Sequence, residues 1–267
     1  NLETQKTPNK SQGNLVYHTP PQFSPTGNLS WLQMKRDGYE SDKNDIIVEF
    51  KGIKTNLTAN WDGTVDNFIW SKDGKTVFFV APVDGTKQLF SVNFPGLTKI
   101  AINVRQLTNG DFDVNDLVGF AGDEIIVTRT DMNHAGEIYS FNLKKNTWKQ
   151  ISNVNTDTYK TLTLSKTEKR YVTTTDGKKM LVWVILPPNF DASKKYPTLL
   201  FCQGGPQSPL TQSYSFRWNF SLMAAKGYVV VAPNRRGMPG HGVEWNEQIS
   251  KDWGGQVMDD YLSAIDD

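Results

Sequence analysis

One cysteine, Cys202, and three histidines are found among the 267 residues. A single cysteine excludes an intrachain disulfide and any site built from several thiolates. Its place in the apolar run 198–202 predicts a buried small hydrophobe rather than a reactive thiol. An excess of one charge sign is also missing: 29 Lys and Arg stand against 28 Asp and Glu, a net charge of +1. That balance argues against the basic face of a protein that binds nucleic acid or an anionic membrane surface. The longest apolar runs, 181–186 and 228–233, span about six residues each, where a bilayer crossing needs roughly 18. No transmembrane segment is expected. Residues 1–13 are polar, with neither a hydrophobic stretch nor an initiating methionine, so no signal peptide is read from them. Both ends look cut.

Several chemical signatures are missing as well. His18, His134 and His241 form no H-E-x-x-H motif, and no second histidine lies near His241 and Glu244 to complete a metal site. No metal and no cofactor is expected. There is no Walker A loop, no G-x-G-x-x-G and no G-x-S-x-G nucleophile elbow.

The first 165 residues are polar, turn-rich and β-like. Residues 46–50, 76–80, 89–92, 124–128 and 137–141 carry β-branched and aromatic side chains. Asp73-Gly74, Asp84-Gly85 and Asn109-Gly110 supply turns between them. A repeat runs through this part. Phe23-Ser24-Pro25-Thr26-Gly27-Asn28 precedes a strand at 29–33, and Trp70-Ser71-Lys72-Asp73-Gly74-Lys75, 47 residues on, precedes one at 76–80. A weaker copy, Phe120-Ala121-Gly122-Asp123, precedes 124–128. Leu57-Thr58 recurs as Leu107-Thr108 after 50 residues, and the segment 88–93 recurs as 137–142 after 49. This period, with about four short strands per unit, is the signature of β-propeller blades. The aromatic is expected to pack between blades and the glycine turn to reverse the chain within one. Three units are visible, whereas a closed propeller has about four to eight blades. Either more blades lie upstream, or this part is an open wedge.

Near residue 165 the pattern changes to strand–helix alternation, which divides the chain into 1–165 and 166–267. Residues 170–174, 180–186 and 198–202 read as strands, the last as one buried on both faces. Residues 215–225 read as a helix capped by Gly227, followed by a buried strand at 228–232. Val257, Tyr261, Leu262 and Ile265 form an apolar stripe on a last helix, with Asp252 as a candidate N-cap. Such alternation builds a parallel α/β sheet.

Two loops leave the C-terminal ends of these strands, where α/β folds keep their sites. In Gln203-Gly204-Gly205-Pro206-Gln207-Ser208, paired glycines suit either close approach of an anionic oxygen to backbone N–H groups or a tight turn. In the other, Asn234-Arg235-Arg236-Gly237-Met238-Pro239-Gly240-His241-Gly242, an arginine tethering neighbouring loops through carboxylates is expected rather than phosphate binding.

The ordered set Thr175-Asp176-Gly177, Pro187-Pro188-Asn189-Phe190, Lys195-Tyr196-Pro197, Gly204-Gly205-Pro206, Asn234-Arg235-Arg236-Gly237 and Trp253-Gly254-Gly255 resembles the start of the catalytic domain of prolyl oligopeptidase family serine peptidases. With the repeat, the resemblance covers essentially the whole chain. It looks most like the dipeptidyl-peptidase and acylaminoacyl-peptidase branches, and Arg-Arg-Gly-x-x-Gly-x-Gly is similar to bacterial type V dipeptidyl-peptidases.

The resemblance implies a partial β-propeller followed by the N-terminal part of an α/β-hydrolase domain. The triad, in chain order Ser, Asp, His, would lie beyond Asp267, so no catalytic residue is assigned within the chain, and the fragment itself is expected to be inactive. The segment matching Gln203, Gly204 and Gly205 supplies an oxyanion donor in relatives. Some carry tyrosine where this chain has Gln203, and others carry His-Gly-Gly-Pro. The glutamine departs from both and favours a backbone donor from Gly204 or Gly205, helped by the Gln203 amide. One such donor is worth about 2.7–4 kcal/mol in the transition state. Arg235, Arg236 and Gly237 match a structural active-site loop. The implied activity is removal of dipeptides from peptide amino termini through an acyl-enzyme, in a periplasmic or secreted protein. Acylaminoacyl-peptidase or oligopeptidase activity, or a non-catalytic propeller module, are the alternatives. The acidic residues that hold a substrate's amino terminus in some relatives have no match here. A cut sheet would leave an edge and apolar helix faces open, so association with another copy or disorder in the last 30 or so residues is expected.

Overall fold

Three successive four-stranded antiparallel sheets and one mixed sheet make up the protein in a computed structural model, which describes residues 19, 21–98 and 101–267. The first sheet holds β1 (Gln22–Phe23), β2 (Leu29–Gln33), β3 (Asp45–Phe50) and β4 (Ile53–Asn56). The second holds β5 (Asn67–Trp70), β6 (Thr76–Val83), β7 (Thr86–Asn93) and β8 (Val104–Gln106). The third holds β9 (Asp113–Ala121), β10 (Glu124–Asp131), β11 (His134–Asn142) and β12 (Thr147–Gln150). Within each, chain neighbours pair in order.

The repeated motif is the turn between the first two strands of each sheet. Gly27, Gly74 and Gly122 occupy it with φ of +83°, +68° and +62°, a conformation glycine adopts without steric cost. The aromatic before the turn packs across sheets in two copies. Trp70 donates its indole N–H to Ser30 Oγ on β2 at 2.8 Å, and Phe120 meets Phe78 of β6 at 5.7 Å. Phe23 departs from this expectation and is 71% exposed. It opens the first sheet, and no earlier sheet among the described residues receives it. Asp84-Gly85 makes the β6–β7 hairpin, but Asn109-Gly110 falls in the connection from β8 to β9.

β6 shows why the middle sheet reads as a continuous apolar run. Side chains alternate along a strand. Val77, Phe79 and Ala81 join the core shared with the first sheet, whereas Phe78 and Val80 join that shared with the third. The sheet is covered on both faces, so both registers are apolar.

After α1 (Thr156–Tyr159) come β13 (Lys166–Thr173), β14 (Lys179–Leu186), β15 (Thr198–Leu200), α2 (Phe220–Ala225), β16 (Val229–Pro233), α3 (Val243–Glu247) and α4 (Gln256–Asp266). The strand order is β13-β14-β16-β15. Only β15 and β16 are parallel; β14 runs antiparallel to both its neighbours. The expected parallel sheet is therefore a mixed one: the Thr175-Asp176-Gly177 turn joins β13 and β14 as a hairpin, and β14 also runs antiparallel to β16. β14 again alternates: Leu181, Trp183 and Ile185 pack toward α2, and Met180, Val182, Val184 and Leu186 pack with Trp245 of α3 and Ala264 of α4.

Four local expectations are corrected. β15 ends at Leu200 and lies at the sheet edge, with Leu199 at 37% exposure and Cys202 exposed, because β16 alone pairs with it. The helix expected from residue 215 begins only at Phe220, where the Asn219 side chain accepts from Leu222 N–H. In α4, Val257, Tyr261 and Ala264 are buried while Leu262 is 52% exposed. Asp252 is not the N-cap, which is Gly255, yet its carboxylate accepts from the Gln256 N–H at 3.2 Å. Within the last 30 residues lie α3 and α4. Among the described residues no helix is long and apolar enough to cross a membrane.

The mixed sheet docks on loops of all three antiparallel sheets. Arg36 of the β2–β3 loop pairs with Glu247. Asp84 accepts from Lys169 Nζ at 2.8 Å and from the Tyr171 hydroxyl at 2.7 Å. Trp183 donates its indole N–H to the Gly85 and Leu210 carbonyls. At the start of β9, fully buried Asp113 accepts from Lys87 N–H, Gln212 N–H and the Thr211 hydroxyl. Burial pushes its carboxyl up to about 6.

Candidate active-site loops

Because β15 and β16 run parallel, the Gln203–Ser208 and Asn234–Gly242 segments leave the same end of the sheet. Arg235 joins them. It is 3% exposed and donates from Nη2 to the Gln203 carbonyl at 2.8 Å, from Nη1 to the Pro206 carbonyl at 3.1 Å, and from Nε to the Tyr261 hydroxyl at 3.0 Å. Tyr261 in turn donates to the Gln203 carbonyl at 3.1 Å. Arg235 grips backbone carbonyls, and the expected tether through carboxylates is made by its neighbour Arg236, to Asp176 and Asp260. Asn234, fully buried, completes the hold by exchanging two hydrogen bonds of 2.9 Å with the backbone of Leu210.

This grip orients the glycines. The Gln203 carbonyl and the Gly204 N–H belong to one planar trans peptide unit and point opposite ways. With the carbonyl drawn inward by two donors, the Gly204 N–H faces outward. Gly204 and Gly205 are exposed, and neither N–H is hydrogen-bonded among the described residues. A Cβ at either would meet nothing within 4 Å. The Gln203 amide N–H₂ donates to Ser208 Oγ at 3.2 Å, within its own loop. Cys202, just before it, is partly desolvated, which raises its thiol pKa.

Arg236 points away from the glycine loop, under the β13–β14 turn. It is 2% exposed, bonds Asp176 at 2.6 Å, lies 3.7 Å from Asp260 and stacks over Trp245 at 4.9 Å. The Asp260 carboxylate also accepts the Arg236 backbone N–H at 3.0 Å. Burial pushes Asp260 up, whereas the Thr174 hydroxyl and Arg236 hold Asp176 down at about 2. Gly237 turns the chain between the two arginines and α3. Its φ is +93°, and a Cβ there would lie 2.6 Å from Ile249 Cγ2, so no side chain fits.

The loop is also held from the first sheet. Ser41 Oγ accepts from Gln207 Nε2 at 2.8 Å, and its carbonyl accepts from Asn246 Nδ2 at 2.8 Å. Sequence reasoning missed Ser41, Asn234 and the hydroxyl role of Tyr261. Periodicity marks Tyr261 only as part of an apolar stripe, and nothing local connects Ser41 to a loop 166 residues away. His241 sits beside this region, its Nε2 buried without a hydrogen-bond partner among the described residues, and burial lowers its pKa to about 4. His134 pairs with Asp131 elsewhere, and His18 lies outside the described residues.

Comparison with known proteins gives two family matches. Residues 31–181, more than half the chain, match the dipeptidyl peptidase IV N-terminal region, and residues 214–267 match the prolyl oligopeptidase family. The chain is 42% identical over 270 residues to dipeptidyl-peptidase 5 of Porphyromonas gingivalis, covering 100% of this chain and 39% of that protein. It is 44% identical over 271 residues to dipeptidyl-peptidase 5 of Porphyromonas endodontalis, covering 38% of it. The chain thus spans about two fifths of the length of these relatives. Among solved structures, an acylaminoacyl peptidase of Pyrococcus horikoshii superimposes over 94% of this chain and 37% of its own, with TM-score 0.76 at 20% identity. Dipeptidyl peptidase 4 of Porphyromonas gingivalis does so over 94% of this chain and 36% of its own, with TM-score 0.67 at 21% identity.

Proposed function

Since the chain belongs to the prolyl oligopeptidase family, we propose that it is the oxyanion-side portion of a serine exopeptidase that releases dipeptides from peptide amino termini. In this reading the three antiparallel sheets are propeller blades within residues 1–165. The mixed sheet, within residues 166–267, is the N-terminal part of an α/β-hydrolase domain. The Ser-Asp-His triad is supplied by sequence following Asp267, and the protein works in the periplasm or outside the cell. The dipeptidyl reading is favoured over an acylaminoacyl one by the 42% identity to a dipeptidyl-peptidase.

One observation carries the chemical part: the Gln203 carbonyl is pinned inward by Arg235 and Tyr261, which leaves the Gly204 N–H facing outward and without a partner. When a serine oxygen attacks the scissile carbonyl, that carbonyl oxygen becomes an anion. A preorganised N–H aimed at it stabilises the tetrahedral intermediate without reorganisation. Collapse of the intermediate expels the peptide amine and leaves the dipeptidyl group on the serine, for water to release. Arg235 and Tyr261 act here as positioning residues. Arg236 holds the β13–β14 turn against α4.

The test uses a longer protein carrying this chain. Gly204→Pro removes the N–H, and kcat on a chromogenic dipeptide substrate should fall about 10²–10³-fold while binding of the substrate changes little. An unchanged kcat would remove Gly204 from the oxyanion site. Cleavage of amino-blocked substrates in preference to free ones would replace the dipeptidyl reading by the acylaminoacyl one. Stoichiometric labelling of the present chain by a fluorophosphonate probe would overturn the placement of the triad.

A further inference from the structure

A cavity of about 480 Å³ opens between β10, β11 and α1, away from the glycine loop. Its volume lies in the range of small-molecule sites. Arg129 of β10 lines it, with its guanidinium over aromatic rings. Its Cζ lies 3.7 Å from the Phe112 centroid, 5.0 Å from that of Tyr139 and 5.4 Å from that of Trp148. A guanidinium packed against rings still carries its N–H edges as donors. Among the described residues those edges make no hydrogen bond and no ion pair. Nor does the Tyr139 hydroxyl, which lines the same cavity, make a hydrogen bond.

The other charges of the cavity are already engaged. Asp131 accepts from the Asn133 N–H, the His134 N–H and His134 Nδ1 at 2.8–2.9 Å. Glu137 accepts from the Asn155 N–H and the Ser152 hydroxyl. Lys160 pairs with Asp157. Asp131 softens the positive field at Arg129 but does not come within ion-pairing distance of it. Two unpaired donors, one a fixed cation whose partial burial disfavours its charge, therefore face a space that a planar anion would fill. Arginine's fork matches a carboxylate with two parallel hydrogen bonds.

We propose that this cavity is a carboxylate-binding site, anchored by Arg129 with the Tyr139 hydroxyl as a second donor. The same chemistry is offered by the α-carboxylate of a peptide and by a small organic acid. The site does not depend on the peptidase reading, because occupancy is measured on this chain without turnover.

Isothermal titration with a short apolar peptide acid, its C-terminal amide and acetate tests it. The peptide acid should bind, the amide about tenfold or more weaker, and Arg129→Met should lose about tenfold or more of the affinity. Tyr139→Phe, which keeps the ring, should weaken binding by a smaller factor. Arg129→Lys, which keeps the charge without the fork, should fall between wild type and Arg129→Met. Acetate displacing the peptide at millimolar level assigns the site to carboxylates at large. Peptide binding that acetate does not displace assigns it to peptide ends. Equal binding of acid and amide, or no binding of either acid, overturns the proposal. So does wild-type affinity in folded Arg129→Met, or, should that variant not fold, in both Arg129→Lys and Tyr139→Phe.

Discussion

Replacing Arg235 by methionine tests the hold on the glycine loop. Methionine keeps most of the apolar stem and removes the donors. Three bonds beyond the arginine's own segment are lost, to the Gln203 carbonyl, the Pro206 carbonyl and the Tyr261 hydroxyl. A hydrogen bond from a charged donor is worth about 1.5–3 kcal/mol net, so the gross loss is about 5–9 kcal/mol. Two effects offset it. Arg235 is 3% exposed with no carboxylate partner among the described residues, so its removal relieves a desolvation penalty of several kcal/mol. The Tyr261 hydroxyl also continues to serve the Gln203 carbonyl at 3.1 Å. The balance is a net loss of about 2–4 kcal/mol. For a chain of this size that lowers Tm by about 5–15 °C. Differential scanning calorimetry on wild type, Arg235→Met and Arg235→Lys checks it, with lysine expected between the other two. A methionine variant within about 1 kcal/mol of wild type would refute the reasoning, because the loop would then be held by its contacts to Tyr261, Asn234 and Ser41 without the arginine.

Three further substitutions follow from the same structure. Asp113 titrates near 6 when folded, above its ordinary 3.8. Its stabilising contribution is present below about pH 3.8 and lost as pH rises through 6. Asp113→Asn keeps an acceptor for the Lys87 and Gln212 N–H groups, so its urea stability relative to wild type should rise by roughly 3 kcal/mol from pH 4 to 7; a flat difference sinks this. His241 behaves oppositely, titrating near 4 instead of 6.5. Its contribution is present above pH 6.5 and lost as pH falls through 4, so His241→Leu should remove roughly 3 kcal/mol of acid destabilisation; an unchanged acid limb of the same urea series would count against it. Trp70→Phe deletes the indole bond to Ser30 Oγ between the first two sheets and should cost about 1–2 kcal/mol by chemical denaturation; no measurable loss would mean that the indole bond adds nothing to their shared core.

The repeat was legible because it is chemistry confined to six residues: an aromatic, a short polar linker and a glycine with positive φ, recurring before a strand. That local rule placed β2, β6 and β10 and the turns that begin them. Phe23 escaped it, since the rule concerns what an aromatic meets in the neighbouring sheet. The run at 198–202 shows the converse failure. Its apolarity is consistent with burial on both faces, yet among the described residues β15 pairs only with β16 and stands at an edge. Strand order is a property of the whole sheet, and no residue within the run encodes it.

For the candidate site, the sequence by itself determined that two loops follow two strands, that one carries paired glycines and the other paired arginines, and that Gly237 stands between Arg236 and Met238. Only the tertiary structure decided the division of labour between the arginines. Arg235 turns up to backbone carbonyls and Tyr261, while Arg236 turns down to Asp176, Asp260 and Trp245. The physical reason is that a guanidinium takes whatever acceptors surround it once water is excluded. Those acceptors come from residues 24 to 60 positions away. A planar peptide then transmits the choice, sending the Gly204 N–H outward because the Gln203 carbonyl was drawn in.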